Sequence, residues 1–212
     1  MKRNVATLAL VIISNFLVIP TVLASEKIVH LSSAEVSVKD LKTSGSGCPY
    51  GTVSGTIAPD GKSFVLGFDE YTAEVGPSIP RRENRKTCQI TAVLEIPNGL
   101  AFTIADVNYR GYASLDSKVK ALQSSSYFFA GNRQESRLNT EFHGPIEQNY
   151  TISDRLGLES LVWSSCNAME PVVIKTELRV DNQRNRRKSG LITLDTIDGK
   201  VTHSYGLMFK KC

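Results

Sequence analysis

Residues that carry catalytic or metal-binding chemistry are scarce in this chain of 212 residues, which has three histidines, four cysteines and one tryptophan. It has no G-x-S-x-G elbow of the kind that serine hydrolases use. Its aspartates do not follow the spacing of a calcium loop. No two cysteines form the close Cys-x-x-Cys pair that is typical of structural zinc sites. We therefore expect no cofactor and no metal, and we lean against an enzyme.

Long helical periods are also missing, and after the amino terminus no stretch is apolar enough to span a bilayer. The amino terminus itself combines Lys2 and Arg3 with an apolar run over residues 5–22, followed by Ala24. This pattern predicts a secretory signal peptide over residues 1–24, cleaved after Ala24. Polar residues and a proline interrupt the run, which argues against a retained anchor. We expect a secreted, extracellular protein, or a periplasmic or surface protein in a bacterium.

Strong net charge is absent once the leader is removed. The leader carries two basic residues and no acidic ones, so the formal net charge falls from +4 to +2. A nucleic-acid surface would need a larger basic excess on one face. We therefore expect no nucleic-acid partner.

The four cysteines indicate disulfides, because an exported chain with an even cysteine count is typical of an oxidising compartment. Three connectivities are open. We favour Cys48–Cys88 and Cys166–Cys212, which close loops of moderate length. The second of these bonds would attach the last residue of the chain to the fold.

Strand patterns dominate the rest of the chain. Residues 172–180 alternate, with apolar side chains such as Ile174 and Leu178 on one face and charged ones on the other. Residues 112–129 also have an extended character. His203 shares a predicted strand face with apolar residues, so we expect it in the core or at an edge. Only residues 154–162 have a weak helical character.

Three turn signals predict hairpins. Pro97-Asn98-Gly99 is expected to join residues 90–96 to a return strand that begins at Leu100. Asp60-Gly61 would join residues 52–57 to 63–68, and Asp198-Gly199 would join 190–197 to 200–209. The sequence thus predicts an all-β fold, a single-domain antiparallel β-sandwich with two disulfides over residues 45–212, preceded by a loosely held polar lead-in over 25–44.

Several segments, taken in order, are similar to a known family of small secreted fungal and bacterial proteins, domain of unknown function 4360. The segments are GSGCPYGTVS at 45–54, SFVLGFDEYTAEVGP at 63–77, RKTCQI at 85–90, YRGYASLDS at 109–117, SLVWSSC at 160–166 and GLITLDTIDGKVTHSYGLMFKKC at 190–212. The resemblance implies secretion, an all-β fold and a cysteine pattern that includes the terminal one. It implies no activity.

The densest polar and aromatic stretch is residues 106–116. Within it we single out Tyr109, Arg110, Tyr112 and Asp116 as a candidate ligand rim, since tyrosine rings stack on sugars and arginine grips carboxylates. The alternative is a structural role in which the tyrosines pack and the charges pair.

Two basic loops are the second candidate site. Their residues are Arg81, Arg82, Arg85 and Lys86 in one loop, and Arg184, Arg186, Arg187 and Lys188 in the other. If both loops lie at the same end of the sandwich, they would attract an anionic cell-surface or matrix polymer. The alternative is a pair of independent, solvated loops.

The favoured function is a noncatalytic extracellular module that binds such a polymer or an extracellular protein, or a purely structural module. The rival is a carbohydrate-active enzyme with a carboxylate pair, for which Asp69-Glu70 and Asp106/Asp116 are the candidates. Asn149-Tyr150-Thr151 is a candidate glycosylation acceptor, which matters only in a eukaryotic host.

Overall fold

The computed structural model describes residues 28–157, 161–166, 169–194 and 203–212. The predicted signal peptide lies outside these ranges. The described elements are one 3₁₀ turn, Arg81–Asn84, and the strands β1 (Ile28–Val29), β2 (Ser37–Ser44), β3 (Val53–Ile57), β4 (Ser63–Phe68), β5 (Thr72–Val75), β6 (Arg85–Glu95), β7 (Leu100–Leu115), β8 (Lys120–Phe129), β9 (Ser136–His143), β10 (Ile146–Arg155), β11 (Val172–Asp181), β12 (Gly190–Thr193) and β13 (His203–Lys211).

The strands form two antiparallel sheets. The second sheet has the order β2-β6-β11-β8-β9. In the first sheet, β7 pairs with β10 on one side and with both β12 and β13 on the other, and these two pair in turn with β5 and β4. β3 pairs with β4, and β1 pairs with the end of β13. The predicted all-β fold with antiparallel sheets is confirmed.

The core lies between the sheets, where every second side chain of the facing strands is apolar. β11 shows the predicted alternation: Ile174 and Leu178 have no exposed surface, whereas Lys175 and Arg179 point to solvent. Within the described residues, no helix is long and apolar enough to cross a membrane.

The Asp60-Gly61 hairpin is confirmed. β3 and β4 pair from Val53 opposite Phe68 to Ile57 opposite Phe64, and the turn is closed by a bond from the Ala58 amide to the Ser63 carbonyl. Gly61 has a φ of 70°, which a side-chain-bearing residue seldom adopts.

The predicted hairpin at Pro97-Asn98-Gly99 is wrong. β6 lies in the second sheet and β7 in the first, so the turn carries the chain from one sheet across to the other. Both strands bury one face in the core, with Ile90 on β6 and Phe102 on β7. Two such strands can pack face to face as well as edge to edge, and alternation does not distinguish the two arrangements.

The hairpin predicted at Asp198-Gly199 is also wrong, as far as its arms are described. β12 and β13 do not pair with each other; both run antiparallel along β7, one after the other. The turn itself falls in residues 195–202, which lie outside the described residues.

Two smaller expectations differ from the structure. Residues 37–44, expected within the loose lead-in, form β2, which pairs with β6 at the edge of the second sheet. Nor does a helix begin at residue 154, since β10 continues to Arg155 and the Leu156 amide bonds to the Ala105 carbonyl of β7.

Both predicted disulfides are present. Cys48–Cys88 joins the segment after β2 to β6, with the Cα atoms 5.3 Å apart. Cys166–Cys212 has a Cα separation of 6.0 Å. The segment before Cys166 runs beside β7, where Ser164 bonds to Phe102, while Cys212 follows the strand on the other side of β7. The terminal disulfide therefore links the two segments that flank the start of β7, one on each side.

Candidate ligand-binding site

The four residues of the predicted rim do not form one surface, because side chains alternate across a strand. Tyr109 points into the core and has no exposed surface, whereas Arg110 and Tyr112 point outward from the first sheet. Asp116 lies beyond the end of β7. Tyr109 therefore cannot contact a ligand on the surface.

Tyr109 belongs to a buried aromatic cluster. Its ring makes edge-on contacts with His203 at 4.8 Å and with Tyr205 at 6.0 Å between ring centroids. Burial raises the pKa of Tyr109 to about 12 and lowers the pKa of His203 from 6.5 to about 3. Nε2 of His203 lies 3.2 Å from the Leu194 carbonyl oxygen. The predicted core position of His203 is confirmed.

The two outward-facing rim residues lie beside β10. Tyr112 donates its phenol proton to a Glu147 carboxylate oxygen at 3.1 Å, and its pKa is raised by desolvation and by that bond. Arg110 is exposed and stands opposite Thr151. Asn149 is exposed opposite Tyr112, so the candidate glycosylation acceptor is accessible; its modification stays a prediction.

Of the two carboxylate pairs proposed for glycoside cleavage, the pair Asp106/Asp116 lies too far apart. Asp106 and Asp116 are ten residues apart on and beyond the same strand, which corresponds to roughly 33 Å at about 3.3 Å per residue. Glycosidases need about 5–10 Å between the two groups. Asp69 and Glu70 are exposed sequence neighbours between β4 and β5. The described residues contain no group of three or more His, Cys, Asp and Glu that could hold a metal.

The two basic loops do meet. The connection from β5 to β6 and the connection from β11 to β12 lie at the same end of the sandwich, where β5 and β12 pair from Val75 opposite Gly190. Between them is a cavity of about 260 Å³, to which one loop contributes Arg81 and the other Arg186. We call this cavity the basic groove. Arg179, at the end of β11, also lines it.

The charges around the basic groove divide into paired and unpaired groups. Glu83 bonds to both Lys86 and Arg82, which lowers the pKa of its carboxyl group. Arg85 bonds to Glu177 at 2.7 Å. Within the described ranges, the three guanidinium groups that line the groove have no ion-pair partner; they belong to Arg81, Arg179 and Arg186.

The second basic loop is held in place by hydrogen bonds. The Asn182 side chain donates to the Lys188 carbonyl at 2.9 Å and closes the loop. Asp116 accepts the Ser189 amide at 2.9 Å through its carboxylate, and its own amide donates to the Ser189 carbonyl at 3.1 Å. Asp116 therefore positions the basic loop instead of forming a rim with the tyrosines.

Several groove residues were not among the predicted site residues. The polar ones are Asn84, Asp181, Asn182 and Gln183, and the apolar ones include Pro77, Ile79 and Pro80. Strand alternation over residues 172–180 predicts Arg179 only as a charged residue on the exposed face. It is the last basic residue of β11 before the chain enters the basic loop, and that position is the signal that could have identified it.

Arg179 also stands directly opposite Arg85 on the outer face of the second sheet. Like charges in this position repel each other. Arg85 has Glu177 as a partner, but Arg179 has none among the described residues. The structure thus leaves Arg179, which lines the basic groove, without an ion-pair partner among the described residues.

The family model for domain of unknown function DUF4360 matches residues 34–212. The chain belongs to this family. A relative described as an uncharacterized secreted protein, from Arthroderma benhamiae, is 33% identical over 178 residues, which cover 84% of this chain and 72% of the relative. Together with the two disulfides, this relative agrees with the leader predicted from the sequence: the protein is secreted.

Among solved structures, TmCBM61 in complex with beta-1,4-galactotriose is 12% identical with a TM-score of 0.26, over 82% of this chain and 90% of that one. Tailspike protein 4 of bacteriophage CBA120, in its enzymatically active domain, has the same identity of 12% and the same TM-score of 0.26, over 85% of this chain and 20% of that one. Likenesses at this level carry no inference about fold or function.

Proposed function

We propose that this DUF4360 protein is a noncatalytic extracellular module that binds an anionic polymer in the basic groove. One observation carries the proposal: two basic loops, about 100 residues apart in sequence, each place one unpaired arginine at the same cavity, and the end of β11 adds a third. A secreted protein meets anionic polymers at cell surfaces and in the surrounding matrix. Clustered positive charge raises the local concentration of such polymers and speeds their association.

Arginine suits this role because its planar guanidinium group donates two parallel hydrogen bonds to a carboxylate or sulfate. Unpaired and exposed arginines can make these bonds without first breaking an internal ion pair. The second basic loop is braced by Asn182 and Asp116, which limits the entropy lost when a ligand orders it. An extracellular protein with an acidic surface segment is the remaining candidate partner.

A binding experiment tests the proposal. The full secreted chain is titrated with polygalacturonate, and the Arg81→Glu/Arg186→Glu variant is compared with wild type. Hydrogen bonds to charged groups contribute about 1.5–3 kcal/mol each, so we expect binding to weaken at least about tenfold. The matched control is Arg133→Glu/Lys211→Glu, which makes the same charge change at exposed positions at the opposite end of the sandwich.

The control should bind polygalacturonate nearly as tightly as the wild type does. If both double variants weaken binding equally, the interaction reflects overall charge and not the groove. If the Arg81→Glu/Arg186→Glu variant binds normally, the proposal is wrong.

A further inference from the structure

The basic groove contains more than positive charge. Asp181 lines it together with the three arginines, and its Oδ1 accepts the Gln183 amide at 2.8 Å. Within the described ranges its other oxygen has no partner. A carboxylate in this position repels a densely charged polyanion, but it accepts a hydrogen bond from a hydroxyl group. The groove is therefore suited to a ligand that carries hydroxyls beside its negative charge.

Three amide side chains line the same cavity. Asn182 uses its NH₂ group to close the basic loop, which leaves its carbonyl oxygen as an acceptor. Asn84 and Gln183 have no side-chain partner in the described part of the chain. Amides both donate and accept hydrogen bonds, as do hydroxyl groups. They add no charge, so they favour a polyhydroxylated ligand over a merely anionic one.

One wall of the groove is apolar. Pro77, Ile79 and Pro80 belong to the connection between β5 and the 3₁₀ turn. Such a wall can cover the C–H face of a sugar ring while the opposite wall bonds to its polar groups, an arrangement common in small-molecule sites. At about 260 Å³ the cavity is below the roughly 300 Å³ at which drug-sized pockets begin. It therefore suits one or two ring units.

A second, smaller cleft of about 210 Å³ adjoins the groove. Arg179 and Asp181 line both cavities, and the charged residues Lys120 and Glu141 also line the second one, on the outer face of the second sheet. The two cavities are therefore neighbours that share these two residues. Each contains positively and negatively charged groups, so the combination of charge with hydroxyl acceptors is present in both.

We infer that the ligand of the basic groove is a uronic-acid-containing polysaccharide, with a sugar carboxylate held by the arginines and neighbouring hydroxyls bonded to Asp181 and the amides. This inference rests on the proposed function, because it names the chemical class of the anionic polymer. Successive sugar units would occupy the groove and the adjoining cleft.

The test compares two ligands that carry equal charge on the full secreted chain by isothermal titration calorimetry. One is trigalacturonate, and the other is a capped peptide of three glutamates. We expect trigalacturonate to bind at least about tenfold more tightly, since only the sugar satisfies the hydroxyl-binding groups. Its methyl ester, which lacks the charge, should bind at least about tenfold more weakly than the acid.

A variant tests the part assigned to Asp181. Asp181→Asn keeps an acceptor for the Gln183 amide but removes the negative charge. We expect the ratio of trigalacturonate affinity to triglutamate affinity to fall several-fold, because the charged hydroxyl acceptor is lost for the sugar alone, whereas the relief of charge repulsion is the same for both ligands. The matched control, Asp60→Asn, changes an aspartate that makes the same kind of turn bond to the Lys62 amide in the β3–β4 hairpin. It should leave the ratio unchanged.

The outcomes separate the two claims. Equal affinity for trigalacturonate and triglutamate overturns the uronic-acid inference and leaves the proposed polyanion binding standing. If trigalacturonate, triglutamate and polygalacturonate all fail to bind, both the proposed function and the uronic-acid inference are overturned. An unchanged affinity ratio in Asp181→Asn removes the role assigned to that carboxylate and, with it, the structural ground for the inference.

Discussion

At the scale of single residues, the direction of a side chain determines what it can do. Tyr109 and Arg110 are adjacent in sequence, yet one is buried against His203 and the other faces solvent. Composition identified residues 106–116 as polar and aromatic, but only strand alternation separates the structural residues from the exposed ones. The same reasoning makes His203 a buried neutral group that resists protonation.

His203 predicts acid sensitivity. Its pKa of about 3 in the folded protein is below its ordinary value of 6.5. Between these values the unfolded chain binds a proton that the folded chain does not, so stability falls as pH drops from 6.5 toward 3. The effect at pH 4.5 is on the order of 2–3 kcal/mol.

Thermal melts of wild type and His203→Gln between pH 7 and pH 4 measure this effect. The melting temperature should fall further between pH 7 and pH 4 in the wild type than in His203→Gln. His143→Gln is the control, since that histidine is exposed. Parallel losses in wild type and His203→Gln would show that protonation of His203 does not limit acid stability.

At the scale of strands and loops, Arg85 and Arg179 repel each other across the β6–β11 pair. We attribute the presence of Arg179 at this position to its role in the basic groove. Arg179→Gln removes the like charge opposite Arg85. We expect this variant to gain a few tenths to about 1 kcal/mol of stability, seen as a rise of about 1–3 °C in melting temperature. The same variant should bind trigalacturonate more weakly, because it loses a groove guanidinium.

Lys175→Gln is the matched control, since it removes the same charge from the outer face of the same strand. The Lys175 ammonium lies 4.9 Å from the centre of the Phe128 ring, so its loss should lower the melting temperature slightly. If Arg179→Gln melts below wild type, the arginine is structural and its charge is not held there for a ligand.

Limited proteolysis with trypsin can test how firmly the second basic loop is held, because the loop contains four cleavage sites, at Arg184, Arg186, Arg187 and Lys188. Asp116→Ala removes the bond from the Ser189 amide to the carboxylate. We expect faster tryptic cleavage within the loop, measured by mass spectrometry of timed digests. Asp60→Ala, which loses a comparable bond in another turn, should be cleaved within the second basic loop at the wild-type rate. If Asp116→Ala is also cleaved in this loop at the wild-type rate, the bond from Asp116 does not brace the loop.

The connections between strands show which parts of the fold can be predicted from the sequence. Asp60-Gly61 predicted its hairpin correctly, because a short turn between two alternating strands is a local property. Pro97-Asn98-Gly99 offered a similar local signal, yet β6 and β7 lie in different sheets. Whether consecutive strands pair or pack face to face depends on which partners the rest of the chain supplies. No local pattern contains that information.

The candidate site follows the same rule. Basic composition identified both loops, but their meeting depends on two connections lying at the same end of the sandwich. Arg179 and Asp181 entered the site only because β11 delivers them to that end. Conversely, the disulfide pairing was predictable, since only three connectivities were open and the favoured one closes two loops of similar length.

At the scale of the whole molecule, the terminal disulfide clasps the start of β7 between the two segments that flank it. Its sequence separation of 46 residues corresponds to roughly 4 kcal/mol in the chain-entropy description. We expect Cys166→Ser/Cys212→Ser to melt several degrees lower than wild type and to lose its carboxyl-terminal residues to carboxypeptidase.

Cys48→Ser/Cys88→Ser serves as the control, because it removes a disulfide of similar separation away from the chain end. It should also melt lower, but its carboxyl terminus should stay protected. Equal carboxypeptidase resistance in the two variants would mean that the pairing of β13 with β7 alone holds the terminus.

The central claim is that the basic groove is the ligand site, and hydrogen–deuterium exchange with and without trigalacturonate tests it most directly. We predict slower exchange on ligand binding in residues 76–86 and 179–189, with a smaller effect at residues 120–122 and Glu141 of the adjoining cleft and little change elsewhere in the described chain. Protection on the outer face of the first sheet around Arg110 and Tyr112, with none in the two basic loops, would contradict the account.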